Sequence, residues 1–253
     1  MILNNKLLKL SEKKKTDTLA VFAHELKTHI TSIKEAVSLI SDVNQHKLDK
    51  KSLRIISIAQ EEINRLVRMI DNFLKVAAIE NDKIQLQPEK VNINNLINLV
   101  LESQSLHIQK KKMRIRKIFS TNLPSLNVDK DRIFEVLSNL IDNAIKFTPE
   151  KGTVIIKTQL LLKTKKRLEY QDINSKLNYV KITISDNGPG ILKKDLKRIF
   201  EKFERSTAPT KIRGIGLGLT IAKTIVELHK GKIWAVSDIG KGANFYLVLP
   251  VKN

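Results

Sequence analysis

The 253 residues carry 46 Lys and Arg against 26 Asp and Glu, a net charge of +20, with five histidines and no cysteine. That length fits about two domains, and a hydrophobic content of 42% supports a packed core rather than a disordered chain. The missing cysteines exclude a disulfide framework, a Cys-type zinc site and a thiol nucleophile, and no apolar run approaches the roughly 18 residues that cross a bilayer.

The basic excess calls for an anionic partner. The lysines are spread along the chain, however, and aromatics make up only 5%, fewer than a base-stacking nucleic-acid binder uses. The excess therefore reads as solvated surface with a nucleotide as the main anionic ligand, and no nucleic-acid partner is expected. Met1–Leu10 is too short and interrupted for a signal peptide, and residues 1–15 read as a linker remnant. No membrane segment is expected in this chain.

Residues 16–80 read as a helical hairpin. Leu19, Leu26, Ile33 and Ile40 recur every seven residues, with Phe22, Ile30 and Val37 beside them. Ile56, Ile63, Ile70 and Ala77 repeat likewise, as do Ala59, Leu66 and Phe73. Such heptads belong to bundles. The polar stretch from Asp42 to Asp49 is the turn between two antiparallel helices. Two helices bury little, so a second copy completing a dimeric four-helix bundle is expected. In this register His24 is an f position and faces water. Glu25, its neighbour, can take a proton from one ring nitrogen while the other attacks an electrophile, and Thr28 lies one turn on along the same face. His29 falls near the apolar seam and reads as a half-buried packing residue. His46 and His107 stand in polar contexts and receive no role.

Residues 81–253 read as an α+β unit. A helix is expected from Asn95 to about Lys111 and a strand over Arg114–Phe119. A helix follows over Asp131–Phe147, with Ile133, Val136, Leu137, Leu140 and Ile141 toward the core. Asn139, Asn143 and Lys146 share one face, with Asp142 beside them. That set suits Mg²⁺ and phosphate, though it is equally the pattern of an ordinary exposed helix face. Strands over Val154–Leu162 and Val180–Ser185 flank a long charged joint, read as a mobile insertion. Asp186-Asn187-Gly188-Pro189-Gly190 closes the second strand. Its glycines let backbone approach a flat ligand and Asp186 can accept from an exocyclic amine; a plain Pro-Gly turn is the alternative. Gly214, Gly216 and Gly218 open a helix that runs to His229, where amides cradle phosphates. Ser206–Thr210 between these loops suits a lid. Strands Ile233–Ser237 and Asn244–Leu249 end the chain.

Taken in order, these stretches resemble a two-component sensor histidine kinase of the His-kinase-A dimerisation type. His24-Glu25-Leu26-Lys27-Thr28 looks like its H box, Asn139–Phe147 the N box and Asp186–Gly190 the G1 box. Phe200–Phe203 looks like the F box and Gly214–Gly218 the G2 box. The resemblance implies a Bergerat-type two-layer ATP-binding sandwich after the hairpin, with ATP and Mg²⁺ as cofactors. It implies autophosphorylation of His24, Glu25 as its general base, Thr28 positioning water in dephosphorylation, and a response regulator receiver domain as partner. Asn143 would bind Mg²⁺, Asn139 and Lys146 the phosphates, with Asp142 as the acidic N-box residue. Asp186 would take the adenine amine beside Gly188 and Gly190, while Gly214, Gly216, Gly218 and Leu219 would face the phosphates.

Two departures stand out. The family often has proline where this chain has His29, so a straighter helix is expected. No sensor segment precedes Leu10, so the chain reads as a fragment, a truncated gene or a kinase whose sensing lies elsewhere. Abundant Lys, Ile and Asn suit a plastid genome or a low-GC bacterium, hence a cytoplasmic or plastid-stromal location. The rival readings are another ATPase of the same superfamily, a degenerate kinase acting as a binding adaptor, and a basic nucleic-acid binder.

Overall fold

The computed structural model describes residues 23, 26–40, 48–80, 85–162, 177–202, 204 and 216–251. The chain divides into two compact units, Met1–Gln85 and Leu86–Asn253. The expected order, a helical hairpin and then an α/β sandwich, is observed. Among the described residues no helix is long and apolar enough to cross a membrane.

In the first unit, residues 26–40 form α1 and Lys50–Glu80 form α2. Asp49 caps α2, accepting from the Ser52 N–H at 2.8 Å. Lys27 Nζ donates to Asp71 Oδ1 at 2.6 Å. A bond from the start of α1 to the last third of α2 requires the helices to run antiparallel. Ile63 and Ile70 are buried between them, while Leu26, Ile33, Ile40, Ile55, Ile58 and Leu66 stay exposed. His29 is exposed in the single hairpin too. Within one hairpin α1 has a neighbour on one side only, and His29 lies on the side α2 leaves uncovered.

The second unit opens with β1 (Pro88–Val91) and α3 (Ile93–Ser103), capped by Asn92. Then come α4 (Ser105–Lys110), β2 (Arg114–Ile118), β3 (Leu126–Asp129) and α5 (Lys130–Phe147). β4 (Thr153–Leu161), β5 (Tyr179–Asp186), a single 3₁₀ turn Arg198–Phe200, α6 (Gly218–Leu228), β6 (Lys232–Ser237) and β7 (Ala243–Pro250) complete it. The main sheet has the order β2-β4-β5-β7-β6, with β2 parallel to β4 and the other pairs antiparallel. α5 is the crossover between the parallel strands. The helices cover one face. Val154 and Ile156 of β4, and Ile182 and Ile184 of β5, point into that layer against Ile133, Leu137, Leu140 and Ile141 of α5, all nearly inaccessible to water.

One expectation needs correction, and one small sheet was not expected. The helix predicted to run to Lys111 breaks at Gln104, whose N–H is shared between the Val100 and Leu101 carbonyls, and restarts as α4. The small antiparallel sheet of β1 and β3 is new. Each of its strands has four residues and pairs with a segment about forty positions away, so no local periodicity reveals it.

Candidate functional site

α5 carries the amide-rich face. Asp129 caps its N-terminus, accepting from the Arg132 N–H at 3.0 Å through Oδ1 and from the Gln87 N–H at 2.9 Å through Oδ2. Burial opposes ionisation of this carboxyl, but those two N–H bonds and the charge of Arg132 outweigh it and hold the group below the usual carboxylate range. The Asp129 backbone N–H donates to His229 Nε2 at 3.0 Å, and His229 Nδ1 lies 2.8 Å from the Ile225 carbonyl. Since Nε2 accepts, Nδ1 must carry the proton, so this buried ring is a neutral tautomer joining the start of α5 to the end of α6.

The other end of α5 is held by Lys111. Its ammonium donates to the Ile145, Lys146 and Thr148 carbonyls at 2.8, 2.9 and 2.8 Å. All three N–H donors go to the helix's terminal carbonyls, which otherwise lack partners. Burial pushes the ammonium below its ordinary range, with the Glu150 charge pulling the other way. Between these anchors Asn139, Asn143 and Lys146 are partly buried on one face, while Asp142 beside them is exposed.

Gly218 is the first residue of α6. A Cβ there would meet Asn139 Oδ1 at 3.2 Å, so the start of α6 rests directly on the amide face of α5. Gly216 precedes it at φ 77. Leu219 is partly buried, and the Thr220 hydroxyl in the same first turn is buried without a hydrogen-bond partner. Gly214, Phe203 and the segment Ser206–Thr210 lie outside the described residues.

Asp186 ends β5, and the loop after it meets the end of α5 at Phe147. Asp186 Oδ1 accepts from the Gly188 N–H at 2.8 Å and the Ala243 N–H at 3.3 Å. Burial raises its pKa above the ordinary carboxylate value, and the two N–H bonds only partly offset that. The protein's own backbone accounts for Gly188 and Gly190. A Cβ on Gly188 would crowd the Phe147 carbonyl at 2.8 Å, and one on Gly190, at φ 77, would overlap the Asp238 carbonyl. Asn187 ties the loop to β4, accepting from the Thr153 N–H at 2.8 Å.

On the first unit Thr28 is exposed on α1, and its carbonyl accepts from the Ser32 hydroxyl at 3.3 Å. His24, Glu25, His46 and the charged joint 163–176 lie outside the described residues. Sequence reasoning missed Lys111, Asn187 and His229. Lys111 is one of three consecutive lysines, and nothing local separates it from Lys110 and Lys112.

The residues present fit a magnesium nucleotide. Among the described residues no group of three or more His, Cys, Asp or Glu is placed to hold a metal ion. Mg²⁺ commonly takes few protein ligands and keeps phosphate oxygens and waters, and the Asn143 amide oxygen is a donor of that kind. The glycine start of α6 against Asn139 leaves no side chain where a phosphate would approach the helix amides.

Two family models match the chain. Residues 14–82 match the His Kinase A (phospho-acceptor) domain. Residues 128–253 match the Histidine kinase-, DNA gyrase B-, and HSP90-like ATPase. The adaptive-response sensory kinase SasA of Synechococcus sp. (strain JA-2-3B'a(2-13)) is 32% identical over 238 residues, 94% of this chain and 59% of the relative. The sensor histidine kinase WalK of Bacillus subtilis (strain 168) is 28% identical over 251 residues, 95% of this chain and 37% of the relative. The chain therefore spans well under two thirds of either relative. Full-length ShkA, solved in complex with AMPPNP, shares the fold with a TM-score of 0.74 at 24% identity, over 94% of this chain and 46% of that one. The catalytic domain of histidine kinase ThkA matches 65% of this chain and 95% of its own at 28% identity, with a TM-score of 0.52. With a phospho-acceptor domain and an ATPase domain in that order along it, the chain belongs to the sensor histidine kinases.

Proposed function

We propose that the chain is the kinase core of a two-component sensor, in which ATP held by the second unit phosphorylates His24 and the phosphoryl group passes to an aspartate of a response regulator receiver domain. The observation that carries this reading is the contact of Gly218 with Asn139. It brings together two motifs nearly eighty residues apart, with the partly buried Asp186 in the same unit. Residues 1–15 are assigned as a linker remnant, 16–80 as the phospho-acceptor hairpin and 81–253 as the catalytic domain. The two family matches and the division of the chain at Gln85 support those bounds.

In this assignment Asp186 accepts the adenine amine beside the turn formed by Gly188 and Gly190. Asn139, Lys146 and the amides from Gly214 to Leu219 hold the phosphates, with Asp142 at the rim. Asn143 would hold Mg²⁺, which when bound supplies charge neutralisation on the phosphates. A neutral His24 ring nitrogen attacks the γ-phosphorus. The N–P bond forms as the bond to the bridging oxygen breaks, ADP leaves with that electron pair, and Glu25 takes the proton from the other ring nitrogen. Thr28 orients the water that hydrolyses the phosphorylated response regulator, releasing inorganic phosphate.

The homodimer belongs to the same proposal. Leu26 and Ile33 are each 52% exposed in the single hairpin, against 8% for Ile63. An apolar stripe of that kind is covered by a second copy. The location is assigned as cytoplasm, or plastid stroma if the gene is plastid-encoded.

Incubation with Mg²⁺ and γ-labelled ATP tests the kinase assignment. Acid-labile label is expected on the wild type and none on His24→Gln; label persisting in that variant overturns it. Asn143→Ala should lose Mg-ATP affinity by calorimetry. Light scattering should give twice the chain mass for the wild type and the monomer mass for Leu26→Glu with Ile33→Glu.

A further inference from the structure

The charge excess is not explained by the nucleotide site. Residues 86–253 carry 31 Lys and Arg against 15 Asp and Glu, while residues 1–85 carry 15 against 11. The densest cluster is Lys110, Lys111, Lys112, Arg114, Arg116 and Lys117, inside a stretch without a carboxylate from Ser103 to Val128. The fold sorts this run. Lys111 turns inward onto α5, and Lys117 reaches Asn98 of α3 at 3.0 Å on the helix side of the sheet. Arg114 and Arg116 stand on the opposite side. In the β2–β4 register they pair with Thr153 and Ile155, whereas Ile115 and Lys117 pair with the buried Val154 and Ile156. Both arginines are exposed, and among the described residues neither side chain has a hydrogen-bond or ion-pair partner.

From that edge one row crosses the sheet in register: Ile118, Lys157, Thr183, Tyr246 and Trp234. Every member is at least partly exposed. Trp234 stacks on Tyr246 with centroids 5.2 Å apart and planes at 15°, and Lys181 Nζ lies 4.8 Å from the Tyr246 centroid. The five strands contain one carboxylate, Asp186 at the end of β5. The helix-free face of the sheet thus has a cationic edge, a polar middle and an aromatic pair.

We propose that this face binds single-stranded nucleic acid. Cations two residues apart on a strand are about 7 Å apart, within reach of successive phosphates of an extended strand. Stacked rings on an open sheet give unpaired bases a platform. Thr183 between them offers a hydroxyl to base edges. A lipid surface would use the cations and the rings but has no use for the polar middle, and a duplex keeps its bases from the rings. Composition argued the other way because rings are few, yet the fold places two of them together on the basic face.

Trp234 is the sole tryptophan, so the intact chain reports on itself. Titration with a 20-nucleotide single-stranded RNA should change Trp234 fluorescence, whereas heparin, which has charge without bases, should bind with no such change. By fluorescence anisotropy of the labelled RNA, combining Arg114→Gln, Arg116→Gln and Lys157→Gln should weaken binding at least tenfold at 0.1 M salt. It should also reduce the slope of log K against log salt by about 2, since each single-strand phosphate contact contributes about 0.7. Mg-ATP affinity of that variant should be unchanged, which shows that it folds; if it does not fold, the wild-type fluorescence test decides alone. Asn143→Ala should bind RNA normally, separating this proposal from the kinase assignment. RNA binding absent at micromolar protein, identical responses to RNA and heparin, or preference for phosphatidylglycerol vesicles over RNA would each overturn it.

Discussion

The ammonium of Lys111 lies 2.8 Å from the carbonyl oxygen of Ile145 and spends its other two donors on Lys146 and Thr148. A side chain from the turn before β2 thus closes the last turn of the helix that presents Asn143 and Lys146. A cation there also meets the negative end of the helix dipole.

Lys111→Met keeps the aliphatic stem and removes the donors. Three carbonyls lose a charged partner, and we expect about 2 kcal/mol of lost stability in urea unfolding. Nucleotide affinity should fall as well, because the end of α5 loosens. The neighbouring Lys110→Met, a fully solvated control, should change neither.

Asp186 makes a prediction about pH. Its folded pKa is raised above the unfolded value by burial. The folded state therefore holds the proton more tightly. The resulting stability is fully present below the unfolded pKa and is lost as pH rises through the folded value. At pH 7, above the unfolded pKa, burial of this carboxyl costs stability. Asp186→Asn keeps an oxygen for the Gly188 and Ala243 N–H groups and removes the charge. Its apo protein should melt at or above the wild-type temperature at pH 7, with that difference closing toward pH 4. Its ATP affinity should drop about 10- to 100-fold, the worth of a hydrogen bond to a charged group. A clear loss of melting temperature at pH 7 would show that the buried charge is not a burden.

Two glycines should respond oppositely to alanine. At Gly218 the new Cβ meets only the Asn139 amide at 3.2 Å, and alanine is the better helix former by about 1 kcal/mol. Gly218→Ala should leave stability equal or higher while weakening nucleotide binding, since Asn139 must shift. At Gly242, φ is 78 and the Cβ would overlap the Asp186 carbonyl. Gly242→Ala should cost more than about 2 kcal/mol. Thermal melts and calorimetry on both proteins separate the two effects.

His229→Leu fills the same volume with no polar atoms. The Asp129 N–H would then be buried without a partner, at about 1–3 kcal/mol, while the Ile225 carbonyl keeps the backbone N–H of residue 229 at 3.2 Å. Urea unfolding should show a loss in that range, with autophosphorylation retained at low temperature. His229→Gln, which can restore one bond, should lose less.

Much was legible from local pattern. The seven-residue spacing of Leu26, Ile33 and Ile40 marks a bundle helix because it follows the helical period, and Ile133, Val136, Leu137, Leu140 and Ile141 mark the buried stripe of α5 for the same reason. The Asn139, Asn143 and Lys146 face was legible as a geometric set. What it faced was not, because α6 begins nearly eighty residues later.

Sequence by itself determined the elements whose stabilising contacts lie within a few turns: both hairpin helices, α5 and the longer strands. It also supplied the candidate phosphate-binding and acceptor groups on which the proposed function rests. Only the tertiary structure decided the pairing of β1 with β3, the parallel placement of β2 on β4, and the seating of Gly218 against Asn139. It alone separated Lys111, turned onto α5, from Arg114 and Arg116 on the open face. The reason is common to all of these. Identical residue types take opposite roles according to which partner the chain brings back from far away, and that information is carried by packing and hydrogen-bond satisfaction rather than by any local period.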